Sequence, residues 1–124
     1  MIVLDASVLI AYLDAEDGHH VEAEAMLVAA VDDDFGINPL TLAEVLVGPV
    51  RDDRLGVVQE TLRELEVFEV PFPEDAAVRL ARLQAGTGLK MPDCCVMLAA
   101  EIASARVATF DRQLSRAAEE RRAG

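Results

Sequence analysis

A three-layer α/β/α sandwich around a short parallel sheet is what this sequence predicts, and three observations carry the prediction. Short strand-like runs occur at Ile2–Leu4, Phe35–Asn38, Val67–Val70 and from Arg106 onward, and the first has no polar alternation, as suits a strand buried on both faces. Stretches with apolar residues at helical spacing separate them. Strands alternating with helices imply right-handed crossovers and a parallel sheet covered on both faces. At 124 residues the chain has a single-domain length, so one domain over residues 1–124 is expected.

The first strand stops on a carboxylate, Asp5, and is followed at once by Val8, Leu9, Tyr12 and Leu13 at helical spacing, so Asp5 falls at a strand-to-helix turn. Asp14–Gly18 is a polar break. A second helix is expected from His19 to about Val31, forming a helical hairpin with the first. The neighbours His19 and His20 point about 100° apart on a helix and do not make the i, i+4 pair a metal would use, so they read as surface residues. After the second strand, Pro39 precedes a helix over about residues 41–47, which Gly48-Pro49 breaks or kinks. Leu55, Val58, Leu62 and Leu65 share one face of a further helix over 54–66. Pro71 and Pro73 end the third strand, and a helix over 74–84 carries Ala77, Leu80, Ala81 and Leu83. Residues 85–92 read as loop, and 93–105 as the helix feeding the last strand. There Arg106-Val107-Ala108-Thr109-Phe110-Asp111 repeats the opening arrangement, a strand ending on an acid before a helical stretch. The polar end, residues 119–124, is expected to fray.

Composition is that of an ordinary globular protein, 52% apolar and 27% charged. No window has the roughly 18 consecutive apolar residues of a membrane span, and the first residues lack a basic n-region and cleavage site, so a cytoplasmic protein without membrane contact is expected. Adjacent Cys94 and Cys95 suit neither a disulfide nor a CxxC pair and read as buried inert thiols. The net charge of −12 argues against nucleic acid if phosphate binding is left to Lys and Arg. Acids gathered in one pocket reverse that conclusion, because divalent cations held there present positive charge to a phosphodiester.

Four carboxylates stand out by position: Asp5, Glu44, Asp93 and Asp111. Each also has a capping explanation. Asp5, Asp93 and Asp111 lie at or just before helix starts, and Thr41-Leu42-Ala43-Glu44 matches a capping box. Taken together, Asp5 and Asp111 end strands that should be neighbours, and Glu44 follows the second strand on the same edge, where ligands gather in parallel sheets. Topology alone leaves Asp93 unplaced.

These residues resemble a known family, the PIN-domain ribonucleases, and more narrowly the VapC-type toxins of bacterial toxin–antitoxin pairs. The resemblance covers nearly the whole chain. It is carried by Ile2-Val3-Leu4-Asp5-Ala6-Ser7, by Leu42-Ala43-Glu44-Val45 with Gly48-Pro49, by Leu89-Lys90-Met91-Pro92-Asp93 with Ala99-Ala100, and by Ala108-Thr109-Phe110-Asp111. It implies an acidic pocket of Asp5, Glu44, Asp93 and Asp111 that is both catalytic and metal-holding, with Ser7 and Thr109 as hydroxyls supporting the acids. It further implies an RNA substrate, a small antitoxin partner of the VapB type and a homodimer. Members of that family usually continue past the last helix into a further edge strand, where this sequence has a charged tail up to Gly124, so the edge of the sheet stays open at this point.

Hard cations such as Mg²⁺ or Mn²⁺ prefer oxygen donors, so a few carboxylates suffice to hold one or two ions for phosphodiester hydrolysis. Lys90, Arg51, Arg54, Arg112 and Arg116 lie on or near the segments carrying the acids, where they could bind the RNA backbone or serve as solvated charges. A phospho-acceptor signalling domain also places acids at strand ends, but would need paired acids after the first strand and a Lys after the last. A haloacid-dehalogenase-like phosphatase needs a second Asp where Ser7 stands. A catalytically silent PIN-like binding module is the remaining alternative.

Overall fold

The structure, a computed structural model, describes residues 1–123. Its elements run β1 (Ile2–Leu4), α1 (Ala6–Leu13), α2 (His20–Ala29), β2 (Phe35–Ile37), α3 (Pro39–Arg51), α4 (Leu55–Glu64), β3 (Val67–Glu69), α5 (Ala76–Thr87), α6 (Met91–Ala103), β4 (Arg106–Ala108) and α7 (Arg112–Ala123). The four strands form one sheet in the order β3-β2-β1-β4, with every pairing parallel. Helices cover both faces, which gives the expected α/β/α sandwich.

Alternation along β1 assigns the layers. Ile2 and Leu4 face a core completed by Val8 and Leu9 of α1, Ala23 and Leu27 of α2, Val45 of α3, and Val58 and Leu62 of α4. Val3 faces the other way, into a core made with Leu83, the buried run of α6 and Leu114 of α7. Both faces of the strand are dry, which is why its sequence shows no polar alternation. In β2, Gly36 fills the position where a Cβ would lie 3.0 Å from Val70 Cγ2, so any larger residue would have to push the β3 connection outward.

Several boundaries depart from the sequence reading. Gly48-Pro49 does not break α3, which runs on to Arg51 with Pro49 inside it. Proline's fixed φ suits a helix, and in the last turn its missing N–H costs only one bond. The capping box at Thr41 is also absent. Asn38 is the N-cap: its Oδ1 accepts from the Thr41 N–H at 2.9 Å and its Nδ2 donates to Thr41 Oγ1 at 2.8 Å, with both residues fully buried. The expected loop at 85–92 shrinks, because α5 continues to a left-handed C-cap at Gly88 (φ 73°) and α6 already begins at Met91, with Pro92 in its first turn. Residues 119–123 are helical rather than frayed, since Leu114 and Ala118 anchor α7 and Arg121 Nε reaches Glu101 Oε1 at 2.8 Å; Gly124 lies outside the described residues.

The first two helices pack as a hairpin. His20 is not a free surface residue: one ring nitrogen lies 2.8 Å from the Ala11 carbonyl and ties α2 to the end of α1. Val21, Val28 and Val31 of the second helical region are exposed, whereas Ala23 and Leu27 carry its contact with the core. Cys94 and Cys95 are buried and free, as expected, and burial raises the pKa of both thiols. Among the described residues, no helix is long and apolar enough to cross a membrane.

Candidate active site

The C-terminal edge of the sheet has its reversal of strand order between β1 and β4, where open parallel sheets form a crevice. Leu4 pairs with Ala108, so Asp5 and Thr109 are the first residues past adjacent strand ends. The Asp5 N–H donates to the Ala108 carbonyl at 3.0 Å. Its carboxylate is held three ways: Oδ1 accepts from the Ala6 N–H at 2.9 Å, and Oδ2 accepts from Ser7 Oγ at 2.9 Å and Thr109 Oγ1 at 2.6 Å. Ser7 Oγ in turn accepts from the Phe110 N–H, and Thr109 Oγ1 from the Asp111 N–H. The two hydroxyls therefore lace both strand ends together and fix the direction of Asp5. Roughly four lone-pair positions exist on a carboxylate, so about one is left on Asp5.

Asp111 caps α7, its Oδ1 accepting from the Leu114 N–H at 2.9 Å. For this residue the capping explanation holds, and it leaves Oδ2 free. Glu44 and Asp93 are different, because no described residue donates a hydrogen bond to either carboxylate, and the capping explanation fails for both. With Asn38 as the true cap, Glu44 falls beyond the first turn of α3. Asp93 sits in the first turn of α6 behind Lys90, which is the N-cap residue.

Mutual repulsion links these acids in pairs. The pKa of Asp93 is raised, first by burial and then by repulsion from Asp5 and Asp111. That of Glu44 is raised by crowding from protein atoms and then by Asp5 and Asp93, although the residue keeps contact with solvent. Lys90 pulls both values back down, so this cation belongs to the site. At the opposite edge of the sheet, by contrast, Asp33 has two cationic partners, the Met1 N-terminus at 3.8 Å and Arg106 at 3.4 Å. Among the described residues none of the four acids forms an ion pair.

The placement of Asp93 has a simple cause. Helix α6 delivers the chain to the start of β4 through a two-residue connection, so its C-terminus lies at the N-terminal edge of the sheet. Thirteen residues span about 20 Å, which carries its N-terminus back to the opposite edge, beside Asp5. Of the basic residues singled out in the sequence, Arg54 lines a cleft with Glu44, while Arg51, Arg112 and Arg116 are exposed and make no ion pair among the described residues. Sequence reading missed Asn38, whose signal was present as an Asn-Pro pair at a strand end, an N-cap followed by proline at the first helical position. It also missed His19, whose ring stacks on Phe110 at the edge of the site, a contact that no sequence pattern announces.

Among the described residues, no three His, Cys, Asp or Glu side chains stand close enough together to hold a metal ion as they are. The donor set nevertheless fits a hard divalent cation: it is all oxygen, it is rich in negative charge, and Glu44, Asp93 and one oxygen of Asp111 are uncommitted. Side-chain rotations would have to draw the acids inward.

The same repulsion sets a pH dependence. In metal-free protein the folded state holds protons on Glu44 and Asp93 more tightly than the unfolded chain, whose carboxyls titrate near pH 4. Their ionisation therefore weakens the fold as pH rises from that range through the raised values, and protonation restores it as pH falls. Urea midpoints measured in EDTA should show this falling limb, and the double variant Glu44→Gln/Asp93→Asn should flatten it. An equally steep limb in the variant would place its origin elsewhere.

A parallel α/β/α sheet whose C-terminal edge bears four acids and a single nearby lysine defines an acidic-site α/β protein. The chain belongs to the PIN domain family, whose model matches residues 2–120. Similar solved structures include a toxin–antitoxin complex from Klebsiella pneumoniae (TM-score 0.76, 22% identity, 90% of this chain and 87% of that one). Another is VapC20 of Mycobacterium tuberculosis, described as a sarcin–ricin-loop-cleaving toxin (0.77, 16%, 94% and 95%). A third is FitAcB from Neisseria gonorrhoeae (0.72, 24%, 96% and 94%). At these identities the likeness is one of fold. No curated protein matches the sequence at a significant level.

Proposed function

We propose that this chain is a Mg²⁺- or Mn²⁺-dependent endoribonuclease and the toxin of a toxin–antitoxin pair, working in the cytoplasm. The observation that supports the reading is the mutual repulsion among Asp5, Glu44, Asp93 and Asp111 at one sheet edge, with Glu44 and Asp93 free of hydrogen-bond donors among the described residues, in a chain of the PIN domain family. Those four acids would hold one or two ions, which when bound supply a water nucleophile at neutral pH and polarise the phosphoryl group.

The chain's own residues do the rest. Ser7 and Thr109 hold Asp5 at a fixed angle, so that no reorganisation is needed as charge develops. Glu44, exposed on α3 and free of hydrogen-bond donors among the described residues, is placed to accept a proton from water on a carboxylate oxygen. The Lys90 ammonium is available to a non-bridging phosphate oxygen. Arg51, Arg54, Arg112 and Arg116 offer further phosphate contacts along α3, α4 and α7.

An antitoxin has a place to bind. A cleft of about 300 Å³ between α1, α3 and α4 is lined by Ile10, Leu13, Val45, Pro49 and Val58 and bounded by three acids, Asp14, Glu44 and Asp52, and one cation, Arg54. A peptide with apolar anchors and a basic side chain fits this lining, and its cation would meet Glu44 at the acidic pocket. A homodimer is part of the same reading. The test is cleavage of purified RNA in Mn²⁺ and in EDTA, with growth followed on expression alone and with the adjacent small reading frame. Cleavage that needs the metal, and toxicity relieved by the partner, are expected; RNA left intact in Mn²⁺ would refute the assignment.

A further inference from the structure

We propose that His19, stacked on Phe110, forms a platform for an unpaired RNA base next to the scissile phosphate and so helps decide where the chain cuts. The proposal rests on the ribonuclease reading above. Phe110 lies between Thr109, whose hydroxyl bonds to Asp5, and Asp111, and its own N–H donates to Ser7 Oγ at 3.2 Å. Its position is thus fixed by the same hydroxyls that orient Asp5. Part of the Phe110 side chain packs against the core shared by α1 to α4. The His19 ring lies on it with centroids 4.8 Å apart and planes 21° from parallel.

Three contacts hold His19 in that position. Its N–H donates to Asp17 Oδ1 at 2.8 Å, its carbonyl accepts from the Ala23 N–H at 2.9 Å, and its Nδ1 lies 3.6 Å from Glu22 Oε2. Despite them the side chain is 58% exposed. A ring that is stacked beneath, pinned through its backbone and open to solvent is preorganised for one more planar partner, and little ordering entropy remains to be lost. The charge balance makes such a contact useful. With a net charge of −12 the chain repels phosphate at long range, whereas stacking on a base is indifferent to charge. Bases available for stacking are those of single-stranded loops, so the platform selects unpaired RNA.

The test compares wild type, His19→Ala and His19→Phe on a random-sequence single-stranded RNA in Mn²⁺, with cut sites mapped and melting curves recorded for each. Wild type should show a base preference at one position beside the cut. His19→Ala should flatten that preference and raise KM about tenfold, with the effect on KM exceeding that on kcat, and His19→Phe should restore both. In an Asp5→Asn background, an oligoribonucleotide carrying 2-aminopurine should be quenched on binding, and His19→Ala should abolish the quenching. Cleavage by His19→Ala with wild-type KM and an unchanged cut-site preference overturns the platform while leaving the ribonuclease intact. Failure of wild type to cut any RNA overturns the ribonuclease reading and the platform together.

Discussion

Asp93→Asn is expected to lower single-turnover cleavage of RNA by about three orders of magnitude, equivalent to roughly 4 kcal/mol of transition-state stabilisation, while melting near or above wild type. No described residue donates to the Asp93 carboxylate, so a nearly isosteric amide forfeits no hydrogen bond of the fold. It loses only charge, and with it the attraction for a hard cation. Because Asp5 and Asp111 already repel Asp93, the metal-free variant is relieved of a strain and gains stability. Asp5→Asn should lose activity to the same degree at some cost to the fold. Its oxygen can still accept from the Ala6 N–H, but Ser7 and Thr109 would have to turn their hydroxyls to accept from an amide, a loss of about 1 kcal/mol. Single-turnover assays at matched metal, alongside melting curves, decide the matter. Variants that cut at the wild-type rate would reduce both residues to structural roles.

Millimolar Mn²⁺ or Mg²⁺ should stabilise wild type by about 2.7 kcal/mol at a hundredfold excess over its dissociation constant. The effect should be large because the site begins from an unfavourable state: Glu44 and Asp93 are crowded, repelled by their neighbours and offset only by Lys90. A cation removes that repulsion while adding its own bonds. Asp93→Asn, already relieved, should gain much less. Thermal melts with and without metal, together with titration calorimetry, measure both quantities. An unshifted midpoint and no heat of binding in wild type would contradict a metal site.

The parts of the molecule that were legible in its sequence are those where two physical demands agree. Asp5 could be placed because an apolar run with no polar alternation has to be a strand buried on both faces, and such a strand can leave the core only where polarity returns. Thr109 and Asp111 likewise follow a strand end, although β4 is a half-buried edge strand and not dry on both faces. Glu44 was harder, since Thr41 to Glu44 has the spacing of a capping box. The sequence contained a stronger cap three residues earlier, in Asn38 with Pro39, and that cap prevailed because it is buried and bonded through both amide atoms. Pro49 lies inside α3 without breaking it, because proline in a last turn offends only one carbonyl. Asp93 followed from resemblance rather than topology, yet the topology did fix it. A thirteen-residue helix ending at the start of one parallel strand must begin at the far end of its neighbours. His19 was unreadable in principle, because its partner Phe110 is 91 positions away and the contact depends on how the turn after α1 folds.

Helix α6 carries a consequence for how the protein can open. From Cys94 to Ala100 seven successive residues are buried, so no side of that stretch faces water. Segments of this kind exchange their amide protons only when the whole molecule opens, whereas α2, with just Ala23 and Leu27 buried, can loosen by itself. Asp93 is joined directly to the stretch that opens last. Local melting therefore offers no route by which Asp93 leaves its place beside the sheet edge short of losing the fold.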